Sequence, residues 1–211
     1  MRRTCNLILS ICVLATITLL AALARPAAAD GKFHRVPAVK KADHAALQLR
    51  VVSYDGAVNG ALTVEVKNTG KVAATFSAEG LYFVPDGDPD RAPQRLGAVG
   101  PMQLAAAGDA APERKDRISV AAGATVQVTL DVFCIDSHRD APTSETPFTI
   151  ARARMPTPLA TGIQVAGSKA ADEAGGYAAP AAMEKIQESV WETRDAKWIK
   201  LDGEGKQEAA K

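Results

Sequence analysis

Residues 125–135 hold the longest alternation of the chain. Val126, Val128, Leu130, Val132 and Cys134 fall on one side, and Thr125, Gln127, Thr129 and Asp131 on the other. Only an extended strand keeps such a set on one face, because successive side chains point to opposite sides of a sheet. One apolar and one polar face mean an antiparallel strand with its back to a core and its front to water. The same period recurs upstream. Leu47, Leu49 and Val51 share a face, Asp55-Gly56 and Asn59-Gly60 bracket a turn, and Leu62, Val64 and Val66 alternate with Thr63, Glu65 and Lys67. Asn68-Thr69-Gly70 is the next turn. Residues 73–84 hold more strand material, ending in the β-prone Leu81-Tyr82-Phe83-Val84. Residues 85–94 read as a polar loop, 95–104 as one strand, 105–116 as an Ala-rich charged excursion, and 117–120 and 148–153 as short strands. Short alternating strands with turn signals at this spacing predict a β-sandwich or small barrel. Val64, Val66, Val128, Leu130 and Val132 are expected to line its core.

Two of these stretches resemble something known. Residues 64–74, where Val64-Glu65-Val66-Lys67 runs into Asn68-Thr69-Gly70, are followed much later by Ala122-Gly123-Ala124-Thr125-Val126. Both are similar to the immunoglobulin-like adhesion modules of bacterial surface proteins, over residues 46–135. The resemblance implies an immunoglobulin-like antiparallel β-sandwich, placed here at residues 46–155, and says little about function, because turn chemistry belongs to the fold.

The first residues are read as a targeting segment. Arg2-Arg3 is followed by an apolar run over 7–24 and by Ala27-Ala28-Ala29. A basic start, an apolar middle and a small-residue exit make a secretory signal peptide, residues 1–29, cleaved after Ala29. The run is also long enough to span a bilayer uncleaved, but the Ala triplet has no purpose in an anchor. An exported, periplasmic or extracellular protein is expected, with residues 30–45 as a polar tether. Cleavage removes Cys5 and Cys12 and leaves Cys134 alone. One cysteine cannot form an internal disulfide, so a disulfide scaffold is excluded. The formal net charge of the whole chain is +1, and cleavage removes three arginines and no acid. Neither nucleic acid nor, beyond the signal peptide, a membrane is expected as a partner.

Beyond residue 155 the period changes. Thr157-Pro158 opens a helix that Gly175-Gly176 closes. Pro180 opens a second, with Met183, Ile186, Gln187, Val190 and Trp191 on one stripe and Glu184, Lys185, Glu188 and Glu192 on the other. Residues 197–201, with Trp198 and Ile199, suggest a short strand before a charged tail. The expectation for 156–211 is a helical cap packed on the sandwich.

Motifs with chemistry are few. Asp86-Gly87-Asp88-Pro89-Asp90 has the alternating carboxylates of a calcium loop, but Arg91 stands where that loop needs Gly, and Gly97 where it needs Glu. Cys134, Asp136 and His138 alternate, so an extended chain would set a thiol, a carboxylate and an imidazole on one side. As a zinc site this lacks a ligand, and as a nucleophile pair it lacks a placed base. Glycine-rich phosphate loops, G-x-S-x-G and H-E-x-x-H are absent from the sequence. No enzyme, cofactor or metal is expected.

Phe133-Cys134-Ile135 and Ile186-Gln187-Glu188-Ser189-Val190-Trp191 together resemble the thioester domains of bacterial surface adhesins. There the sulfur of a Cys after an aromatic residue is acylated by the Gln of a hydrophobic-Gln-x-x-hydrophobic motif. By that resemblance Cys134 would carry the acyl group and Gln187 would supply it after losing ammonia, giving an electrophile for an amine or hydroxyl on a partner. Periodicity independently aims both residues inward. The other reading of the same pair is a buried inert thiol and a Gln hydrogen-bonded to backbone, since a buried amide without partners costs about 1–3 kcal/mol. Two functions stand: a binding or structural module of the cell envelope, with an unknown protein or cell-surface ligand, and a covalent adhesin with a Cys134–Gln187 thioester.

Overall fold

A computed structural model describes residues 31–38, 46–88, 91–104, 113–176, 179–196 and 201. The segment read as a signal peptide, most of the tail and the strand expected around Trp198 lie outside the described residues, as do parts of the segment read as a tether and of the 105–116 excursion. The chain is mainly β, with antiparallel sheets and two helices. In order these are β1 (His34–Arg35), β2 (Leu47–Tyr54), β3 (Asn59–Asn68), β4 (Ala74–Ser77), β5 (Tyr82–Pro85), β6 (Leu96–Ala98), β7 (Met102–Leu104), β8 (Glu113–Lys115), β9 (Arg117–Val120), β10 (Thr125–Cys134) and β11 (Phe148–Ile150). The helices follow as α1 (Thr157–Glu173) and α2 (Pro180–Ala196).

The larger sheet runs β1-β2-β3-β10-β6-β5-β11, with β7 and β8 branching from β10, while β4 and β9 form a separate pair. β10 is the spine. One of its edges pairs with β3 from Thr125↔Lys67 to Phe133↔Asn59. Its other edge is shared: β7 takes Val128 and Thr129, and β6 takes Val132 to Cys134. The single strand expected over 95–104 is therefore two. The chain breaks at Gly100, whose φ of 81° lies in the left-handed region that a side chain disfavours.

The alternation reads correctly onto burial. Leu62, Val64, Val66, Val128, Leu130 and Val132 are all buried and share one core with Leu47, Leu49, Phe76, Phe83 and Phe148. Core residues from the small sheet, Phe76, Ile118 and Val120, close it from the far side. A second core lies on the opposite face of the sheet, where Phe133, Ile135, Tyr82 and Val99 meet Leu159 and Ile163 of α1 and Ile186 and Val190 of α2. Gly167 permits the close approach, because a Cβ there would stand 2.9 Å from a Val99 methyl.

Turns were legible as turns, but the structure adds their mechanism. Asp55 accepts hydrogen bonds from the N–H groups of Ala57 (3.0 Å) and Ala61 (2.8 Å), which closes the β2–β3 hairpin. Asn68 is buried and works harder: its Nδ2 donates to the carbonyls of Val72 (2.8 Å) and Val120 (2.9 Å), while its Oδ1 accepts from Gly70 N–H (2.8 Å). It ties the turn after β3 to the end of β9. The segment read as a tether also enters the fold. His34 and Arg35 pair with Leu49 and Gln48, and Val36 is buried. A two-residue strand carries no period, so nothing in the sequence announced it.

Candidate functional site

The two residues singled out for chemistry meet. Cys134 ends β10, and α2 crosses that end so that Gln187 reaches it from 53 positions away. The side-chain Oε1 accepts from Cys134 N–H at 2.9 Å, and Nε2 donates to the Cys134 carbonyl at 2.7 Å. The pairing partner β3 stops at Asn59, opposite Phe133. Just beyond it the carbonyl of Val58 also accepts from Cys134 N–H, at 3.2 Å. The Gln187 amide thus continues the ladder where the strand has run out, standing in for a backbone peptide group. That accounts for a Gln on an apolar helical stripe: both of its polar atoms are satisfied in a place where water does not reach. One turn later on α2, Trp191 Nε1 donates to Gln94 Oε1 at 3.3 Å and fixes the helix against the sheet.

The thiol points into the first core. Cys134 is buried in the first core, while its neighbours Phe133 and Ile135 point into the second. Burial, with the nearby Asp136 carboxylate adding to it, pushes the thiol up to about 12. At neutral pH it is a protonated, small hydrophobic group rather than a nucleophile.

Asp136 does not join it. Arg95 Nε donates to Asp136 Oδ2 (2.8 Å), Arg95 Nη2 to Oδ1 (2.5 Å), and the Arg95 backbone N–H also donates to Oδ2 (3.1 Å). Both side chains are almost wholly buried. Burial alone would raise this carboxyl, but the hydrogen bonds and charge of Arg95, with Arg139 farther out, outweigh it and hold the group below its ordinary range. His138 is exposed on the turn that follows. The alternation of Cys134, Asp136 and His138 ends with β10, so thiol, carboxylate and imidazole do not converge. Among the described residues no group of three metal-ligating side chains comes together, and no helix is long and apolar enough to cross a membrane. The acidic loop begins at Asp86, whose Oδ1 accepts from Thr149 Oγ1 at 2.8 Å, and its Pro89-Asp90 part lies outside the described residues.

Sequence reasoning missed Arg95 and Arg154. Arg154 follows β11, where its Nε donates to the carbonyl of Pro37 (2.9 Å) and its Nη2 to that of Ser77 (3.0 Å), with Nη1 on Glu79 O. Burial lowers this guanidinium to about 10, against the pull of Glu79, and it remains a cation at neutral pH. The available signal was weak: an Arg at the rim of an apolar stretch needs a partner, but its identity depends on the fold. No protein-family model matches the chain, and no curated protein matches it.

Proposed function

We propose that this chain is an exported, non-enzymatic binding or structural module of the bacterial cell envelope or exterior, built on an immunoglobulin-like sandwich with a helical cap. One observation carries the reading: the groups on which catalysis would rest are spent on structure. Gln187 is bound through both polar atoms to the Cys134 main chain, Asp136 is locked on Arg95, and the Cys134 thiol is buried and protonated. Function then falls to the surface, toward a protein or cell-surface ligand. The test is intact-mass measurement of the exported protein together with thiol titration. The expected result is the full calculated mass of the chain from Asp30 and a thiol that reacts only after denaturation.

A second reading, a covalent adhesin, is favoured by the meeting of Cys134 and Gln187 itself. Attack of the sulfur on Gln187 Cδ would expel ammonia and leave a thioester, making the protein about 17 Da light. Methylamine would then add to Gln187 and free the thiol, and Cys134→Ala would restore the full mass. A light protein with that reactivity overturns the first reading in favour of the second.

A further inference from the structure

The large sheet curls without closing. Its terminal strands β1 and β11 end on one groove, whose walls are His34 to Ala38 on one side and Ile150 to Arg154 on the other. Part of the main chain of each wall, at Arg35 and at Ile150, is turned away from its neighbouring strand. Val36 N–H donates to Leu47 O, and hydrogen-bonded pairs alternate along an antiparallel ladder, so the N–H and C=O of Arg35 face away from β2. On the other side Asp86 N–H donates to Pro147 O and Ala151 N–H to Tyr82 O. The same alternation turns the N–H and C=O of Ile150 away from β5. Among the described residues no strand pairs with either rim.

The side chains add a sign. Val36 and Ile150, both part of the first core, are buried and make an apolar floor, while Arg35 and Arg152 stand exposed above it. Arg154 pins the β11 side to Pro37 on the β1 side, which holds the two rims at a fixed separation. Three arginines and a histidine line the groove, and no carboxylate does; the Glu79 carboxylate acts on Arg154 from outside it.

Resting on the reading of the chain as a binding module, we infer that this groove takes an extended acidic peptide segment of a partner protein, added as a strand along the open rim. Unpaired strand edges accept a strand through main-chain hydrogen bonds, and alternate side chains then supply specificity. Here one face of the incoming strand meets the apolar floor and carboxylates on the other meet Arg35 and Arg152. A small anion would use the charge and leave both rims open.

The test is selection of a random decapeptide library, displayed on phage, against the folded mature protein. Enriched sequences are expected to alternate Asp or Glu with apolar residues. A synthetic copy of the dominant sequence should bind at least about tenfold more weakly to Arg35→Glu/Arg152→Glu. It should lose binding when alternate peptide nitrogens are methylated, and keep most of it with Arg35→Lys/Arg152→Lys. Both positions are exposed, and unchanged melting of the variants separates lost binding from lost fold. No enrichment, enriched peptides without acids, or binding indifferent to the charge reversal overturns the groove assignment. Binders indifferent to the reversal would leave a binding module whose site is elsewhere, whereas a light, methylamine-reactive protein would overturn the module itself.

Discussion

The two ends of β10 live in different surroundings. Near Thr125 one face of the strand is wet: Thr125 and Gln127 are exposed, and Val128 and Leu130 are buried. From Asp131 to the end of the strand every residue is buried: Gln103 and Arg114 cover Asp131, and α1 and α2 cover the second face at Phe133. At the wet end polar side chains need no partner and the sequence can simply alternate. At the covered end Val132-Phe133-Cys134-Ile135 is apolar throughout, and buried polar groups there take specific partners: Asp136 takes Arg95, and Cys134 N–H and C=O take Gln187. A second layer replaces a pattern rule with a pairing rule.

The largest expected effect breaks the contrast at the wet end. Val128→Asp puts an unpaired charge into the first core and should abolish cooperative unfolding, whereas Gln127→Thr, one residue away on the exposed face, should stay within about 0.5 kcal/mol. Native-like melting of the Val128 variant would show that the core has been misplaced.

Truncation before Pro180 uncovers the dry end. Ile186 and Val190 are fully buried, and each contributes about 1.5–3 kcal/mol when buried. The loss in urea denaturation should therefore reach several kcal/mol, with Phe133 and Ile135 newly exposed. An unchanged curve would make the helical cap an independent unit.

Asp136→Asn should cost about 3–5 kcal/mol, since it leaves Arg95 buried without its counter-charge. The pH dependence follows with a definite sign. A carboxyl held low in the folded state contributes stability that is present above its unfolded value, near 3.8, and lost as pH falls through the lower folded value. Acid titration of stability should be steeper in the natural chain than in Asp136→Asn, and equal slopes would remove Asp136 from the account.

Gln187→Ala should cost about 1–3 kcal/mol by stripping partners from the Cys134 main chain. Gln187→Glu tests the geometry more finely, because an ionised carboxylate can accept from Cys134 N–H but cannot donate to its carbonyl. It should fall nearer to Ala than to the natural residue. The smallest effect belongs to the partly exposed pair on the wet side: removing the Arg50–Glu65 contact, with side chains 38% and 23% exposed, should change stability by less than about 1 kcal/mol.

The inward faces of β3 and β10, the turns at Asp55 and Asn68, and the stripe of α2 could all be read along the chain, because each is set by local geometry: a period of two, a period of 3.6, or a side chain that bonds to its own backbone. The turn at Asn68 was legible, but its anchor on Val120 O was not. Gln187 was visibly out of place on an apolar stripe, yet only the crossing of α2 over the end of β10 supplies the peptide group it pairs with. Arg95 and Asp136, 41 positions apart, carried no local sign of one another. β1 was too short to show a period, and the groove between β1 and β11 exists only because the sheet curls. Local propensity and pattern act over a few residues. The pairing of buried polar groups and the meeting of sheet edges depend on which distant segments the packed core brings within a hydrogen bond of each other.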